Sequence, residues 1–192
     1  TLPEGNIDAA LANYARSQLV MRQGKYTTRG MWDPVFAKRR EEFLMLDNGC
    51  SMTGEGPINT VLRMDDPYDV VREKDAAVYY TVLTCGNNCA IRDMTISADS
   101  QKPTFGLQSL GNRVLIENVA ITDVFGTIGV FEAFGILLND CKTPNQDRGG
   151  SLIRNCRVHA REKAYCTAIY PGYLDPSPES ATTLSWTRVE GC

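Results

Sequence analysis

The sequence predicts an all-β chain wound into a solenoid of short parallel strands. Three observations predict it. A six-residue phrase recurs along the chain, its third place always holds a residue that tolerates left-handed backbone, and a second kind of strand precedes the later copies. The phrase reads IRDMTI at 91–96, IENVAI at 116–121 and IRNCRV at 153–158, and in part VEGC at 189–192. The copies start 25, 37 and 36 residues apart. A fixed phrase with variable insertions is the signature of one supersecondary unit per turn, with loops absorbing the differences in length.

Each place in the phrase has its own chemistry. The third holds Asp93, Asn118, Asn155 and Gly191, the residue types that enter left-handed conformations at least cost. It therefore bends the strand rather than ending it, and stacked Asn side chains can hydrogen-bond along the stack. The first place (Ile91, Ile116, Ile153, Val189), the fourth (Met94, Val119, Cys156, Cys192) and the sixth (Ile96, Ile121, Val158) are expected to face inward. The second, outward, place alternates in sign as Arg92, Glu117, Arg154 and Glu190. On parallel strands about 4.8 Å apart, opposite charges then lie side by side, which is a structural role. The second strand type is read at 105–110, 134–140 and 167–170, opening twice on Phe-Gly.

Ahead of the repeats, Asn6 reads as an N-cap, and Ile7, Ala10, Leu11, Tyr14 and Ala15 recur at helical spacing. An amphipathic helix of about three turns is expected over 6–17, covering one open end of the solenoid. Strands follow over 18–30 with a turn at Gly24, and over 43–64, punctuated by Gly49, Gly54 and Gly56. One domain over 1–192 is expected, with the first coils in 18–64 and the repeated coils in 77–192.

Bulk composition excludes some classes of function. Hydrophobic residues make up 43% of the 192, and there is no apolar run of membrane-spanning length. The net charge of −3 argues against nucleic acid as the main partner, since phosphate binding needs clustered Lys and Arg. The one basic cluster, Lys38-Arg39-Arg40, runs straight into Glu41-Glu42 and reads as a solvated loop. The chain starts at Thr1 with no leader to read. Seven cysteines leave at least one unpaired within the chain. Cys85 and Cys89, spanning Gly-Asn-Asn, are the better disulfide candidates, with a metal site as the other reading. Cys156 and Cys192 share a column and either bond or pack as small hydrophobes.

Val20, Gly24 and Tyr26, then MTGEGPINTVL at 52–62, together with the I-x-N-V-x-I unit, resemble the pectate-lyase-like right-handed β-helix superfamily. Gly54, Glu55, Gly56, Thr60 and Leu62 carry the match, and Met52 stands where that pattern prefers Ile. The resemblance implies a right-handed parallel β-helix with an N-terminal capping helix. It also implies an extracellular or cell- or virion-surface setting and polysaccharide as the partner. Members include lyases, glycoside hydrolases and tailspikes, so a lyase or glycoside hydrolase is expected, with a non-catalytic adhesin, tail-fibre or envelope component as the alternative. Ca²⁺ enters only with a lyase; the residues themselves name no cofactor and no metal site.

Such enzymes work along a groove outside the coils, with paired carboxylates or a basic residue. Candidates there are Asp123 and Asp140, each following a strand, and Glu132 in an apolar context that would raise its pKa. Arg157 is a base candidate beside His159, the sole histidine. Each is more often a turn or solvated residue. The polygalacturonase pattern is missing, and the Asp65-Asp66 pair reads as a turn. Tyr165, Tyr170, Tyr173 and Trp186, around the Pro-rich stretch 171–180, are candidates for stacking on sugar faces, against simple loop packing. The phrase at 189–192 opens another turn, so continuation of the chain or a covering subunit is expected at that end.

Overall fold

Alternation of apolar and polar residues on either side of a two-residue polar break marks 90–97 and 115–124 as strands with one buried face. In the computed structural model they form the two longest strands, and the other elements stack on them. The structure describes residues 4–13, 17–32, 45, 46, 48–65, 80–99, 104–111, 113–126, 133–138, 150–161, 166–170 and 188–192. In chain order the elements begin with β1 (Gly5–Asn6), α1 (Asp8–Asn13), β2 (Gln18–Val20), β3 (Gly24–Thr28), β4 (Met31–Trp32) and β5 (Met45–Leu46). Then come β6 (Ser51–Thr53), β7 (Thr60–Met64), β8 (Tyr80–Cys85), β9 (Ala90–Ser97), β10 (Thr104–Ser109) and β11 (Leu115–Val124). The last are β12 (Ala133–Leu138), β13 (Leu152–Arg154), β14 (Arg157–Ala160), β15 (Cys166–Tyr170) and β16 (Arg188–Glu190).

These strands make two sheets, one of ten strands and one of six. Every strand pairing is parallel except that of β4 with β8. From β8 onward the strands alternate between the sheets, β13 and β14 together taking one turn, with β8, β10, β12 and β15 in the smaller and β9, β11, β13, β14 and β16 in the larger. The chain is all-β and overwhelmingly parallel. Among the described residues no helix is long and apolar enough to cross a membrane.

The register reproduces the expected columns and extends them. Leu19, Met52, Ile91, Ile116, Ile153 and Val189 stand side by side on six strands, and Tyr26, Leu62, Ile96, Ile121 and Val158 form a second row. All but Val189 and the half-buried Val158 are buried in one continuous core. Between the rows the bend is a single residue in four units: Asp93, Asn118, Asn155 and Gly191 have φ of 54°, 51°, 53° and 61°. In the two earliest units the same place is taken by the longer excursions 21–23 and 54–59.

The outward charges pair as their spacing predicts. Glu117 lies between Arg92, whose Nε is 3.3 Å away, and Arg154, to which it is also bonded. The smaller sheet is buried across the whole of β8, β10 and β12. Parallel strands covered on both faces read as apolar runs rather than alternation. The repeated Phe-Gly has a packing reason. A Cβ on Gly106 would lie 2.2 Å from Ile121 Cγ2, and one on Gly135 would lie 2.4 Å from Val158 Cγ1. Glycine lets the smaller sheet approach the sixth column of the larger one.

The N-terminal expectation is corrected: among the described residues no capping helix over 6–17 is seen, and α1 spans the six residues Asp8–Asn13. Asn6 does accept the Asp8 N–H at 2.9 Å, as an N-cap would. The residues before it, however, are drawn into β1, where Gly5 and Asn6 pair with Tyr26 and Thr27 and the Ile7 N–H donates to Thr27 O. The Asp8 carboxylate then accepts the Thr28 hydroxyl at 2.7 Å. The pairing with β3 thus leads directly into α1, and Ile7, Ala10 and Leu11 are buried.

Candidate functional site

A parallel stack presents its outward side chains as straight rows, so polar residues from distant parts of the chain can line one groove. Here the fifth place of the phrase puts Thr95, Ala120 and Arg157 in register on β9, β11 and β14. Beside this row run the corner residues Asn118, Asn155 and Gly191. The excursion 54–59 supplies Pro57 and Ile58, and together these residues line a groove of about 690 Å³.

The excursion is tied down at several points. Thr95 Oγ1 donates to Pro57 O at 2.6 Å, Glu55 N–H to Thr60 Oγ1 at 2.9 Å, and Asn59 Nδ2 to Glu55 O at 2.9 Å. Gly54 and Gly56 donate backbone N–H groups to Arg92 O and Asp93 O. A Cβ on Gly54 would lie 2.3 Å from Asp93 O, so the close approach of this turn to the next strand requires glycine. The result holds Ile58 out beside the groove with 94% of its surface exposed. An apolar side chain so exposed, next to a guanidinium and two amides, offers both kinds of contact a ligand can use.

A second bend follows the sixth column. Asp123 has φ 62°, and the pairing of β11 with β14 shifts between Ile121 and Val124, so Asp123 is the extra residue of a bulge. Its carboxylate accepts the Ser97 hydroxyl at 3.1 Å. Next to it in the fold, Arg161 pairs with Asp99 at 2.5 Å, lies over the Phe125 ring at 5.6 Å, and donates its N–H to Val124 O. The contact of the half-buried Arg161 guanidinium with the Phe125 ring favours this orientation.

Of the residues singled out from sequence, Arg157 lines the groove and His159 is exposed two residues along the same strand, so both point outward. Asp123 belongs to the second bend instead. Tyr170 ends β15, half-buried, its ring 5.3 Å from that of Phe134 in an edge-on contact. Glu132, Asp140, Tyr165, Tyr173 and Trp186 lie outside the described residues. Sequence reasoning assigned Asn118 and Asn155 to the bend and to hydrogen bonds along the stack, and passed over Thr95, Pro57 and Ile58. Only the register between 54–59 and the later units brings these together.

Among the described residues no group of three His, Cys, Asp or Glu could hold a metal ion. Among the described residues no disulfide joins Cys50, Cys85, Cys89, Cys156, Cys166 and Cys192. The Cys89 thiol donates to Leu46 O at 3.6 Å, and the Cys156 N–H donates to Cys192 Sγ at 3.4 Å. Searches of family models, curated proteins and solved structures returned no match to this chain.

Proposed function

We propose that this chain is a right-handed parallel β-helix that acts on polysaccharide, as a lyase or glycoside hydrolase of extracellular or surface glycans. The two alternating parallel sheets with one-residue bends support the solenoid. The glycan reading is carried by one observation: Arg157, Asn118 and Asn155 share a groove that crosses successive strands and is flanked by the exposed Ile58. Strands repeat about every 4.8 Å, so the row offers hydrogen-bonding groups at regular intervals along an extended chain. Amides both donate to and accept from hydroxyls, and the guanidinium fork suits carboxylates on acidic sugars. Pro57 and Ile58 supply apolar surface for the ring faces.

The second reading is a non-catalytic β-helix, an adhesin, tail fibre or envelope component. It is favoured by one feature: the described residues lining the groove include no carboxylate, whereas hydrolysis uses a pair. Titration calorimetry against neutral and uronate-containing glycans tests binding, with release of reducing ends or unsaturated uronates as the turnover assay. Arg157→Ala should weaken binding about tenfold, the loss of one charge-assisted hydrogen bond. Unchanged affinity in that variant removes the groove from the account. Binding without turnover gives the second reading.

A further inference from the structure

The strands furthest along the stack bury their apolar side chains less than the strands they pair with. Ile136 and Leu137 are buried, whereas Ile169 and Tyr170, opposite them on β15, are half-buried. Ile121 is buried and its partner Val158 half-buried; Ile153 is buried and its partner Val189 is 44% exposed. Among the described strands β16 pairs with β13 alone. On that side the Arg188 N–H donates to Ser151 O, and Glu190 O accepts the Asn155 N–H. Backbone groups of successive residues point to opposite edges of a strand, so the N–H and C=O of Val189 face away from β13. A strand edge of this kind, bordering apolar side chains, is a template for a further strand.

The charges on β16 decide which strand fits. Arg188 and Glu190 share the outward face and pair with one another. A two-fold axis through Val189 sets a second copy of β16 antiparallel to the first. Each Val189 then exchanges both N–H···O=C bonds with its counterpart, and each Arg188 lies opposite the other copy's Glu190. Arg188-Val189-Glu190 is therefore self-complementary about its centre, as a two-fold interface requires. Opposite charges across a strand pair are favourable and like charges are not. Parallel addition to the far end of the stack offers no such match. The register there sets Arg188 against Gln18 and Glu190 against the uncharged Val20.

We propose that this end of the stack is a two-fold interface between two copies of the chain, formed by antiparallel pairing of β16 with itself. The larger sheet then runs on from one copy into the other. Val189 of each copy covers the other's, and two Arg188–Glu190 pairs close over them on the outward face. The interface does not depend on the glycan reading.

Sedimentation equilibrium of the whole chain at low salt tests this, with twice the 21.2 kDa chain mass as the expected result. Arg188→Glu sets two carboxylates opposite one another at each pair, and Glu190→Arg sets two guanidiniums there. Each should raise the dimer Kd at least about tenfold. Arg188 is 78% exposed and Glu190 33%, so both variants should keep the fold, which circular dichroism checks. Mixed in equal amounts, the two variants should recover the dimer, because every facing pair is again opposite in charge. The wild type also gives a readout that needs no variant: the Val189 amide should be protected from hydrogen exchange in the dimer and lose that protection on dilution. A wild type that stays monomeric up to its solubility limit overturns the proposal. So does a dimer that survives either substitution, a mixture that stays monomeric, or a dimer in which the Val189 amide exchanges freely.

Discussion

The side-chain amide of Asn118 donates to Asp93 Oδ1 at 2.7 Å, across adjacent strands whose backbones are both left-handed at these residues. One side chain thus does two jobs: it tolerates the bend and ties that bend to its neighbour. Gly191, at the equivalent bend further along, is positioned so that a Cβ would lie 2.7 Å from Asn155 Oδ1. The inner face of the bend is therefore crowded, and its residue types are restricted by space as well as by φ.

Asn118→Ala should lose both contributions. Left-handed backbone costs an L-residue about 1–2 kcal/mol, and a hydrogen bond to a charged group is worth about 1.5–3 kcal/mol. Asn118→Gly loses the hydrogen bond but not the backbone tolerance. Urea unfolding should rank wild type above Asn118→Gly, and that above Asn118→Ala, with roughly 1–2 kcal/mol between the variants. Equal losses in the two variants would remove the backbone from this explanation.

Gly106→Ala and Gly135→Ala should each destabilise by about 1–3 kcal/mol, the usual cost of overpacking. Neither glycine is at positive φ, so the effect is one of space alone. At Gly106 the added carbon meets Gly135 O at 2.7 Å as well as Ile121, and backbone cannot rotate away as a side chain can. Thermal melting of both variants checks this. A variant that melts with wild type would mean the sheets separate freely at that column.

Much of this architecture was legible because its signals are local. Few residue types tolerate φ near 50°, so Asp93, Asn118, Asn155 and Gly191 announce their bend, and a fixed bend fixes the burial of the places around it. The Arg92–Glu117–Arg154 row follows from the same phrase. Asp123 makes a bend too, but in the aligned phrases its place is held by Ala98 and Ala160, so no repeated signal marks it. Among the described residues of 6–17 the helix is seen only at Asp8–Asn13, and the residues just before it are held by a long-range pairing, Gly5 and Asn6 with Tyr26 and Thr27 some 20 residues on. The groove is illegible for the same reason: Pro57 meets Thr95 through register, and neither residue shows this in its own surroundings.

The charge row makes a separate prediction. Glu117 is 24% exposed and its partners Arg92 and Arg154 are 39% and 42% exposed, so solvent screens both pairs. Glu117→Gln should therefore cost about 1 kcal/mol or less. Glu117→Arg places three guanidiniums in register and should cost clearly more at low salt. In about 1 M salt, where screening acts over about 3 Å, the gap between the variants should narrow. A gap that ignores salt would assign the loss to packing of the side-chain stems.

Cys156 sets a pH dependence. Burial, reinforced by the neighbouring Cys192, raises its thiol from 9.0 to about 11, over the opposing hydrogen bond from Val119. A raised thiol pKa means that the folded chain holds its proton where the unfolded chain releases it. The stability this contributes is therefore complete below pH 9.0 and is lost progressively as pH rises toward about 11. The loss is on the order of 1–2 kcal/mol. Cys156→Val is the informative variant, because Val119 fills the same place in the adjacent unit and is equally buried. Melting temperatures of wild type and variant, taken from pH 8 to 11, cancel the titration of all other groups when subtracted. The wild type should fall relative to the variant across that range. Parallel curves would mean that the Cys156 thiol ionises as readily in the folded chain as in the unfolded one.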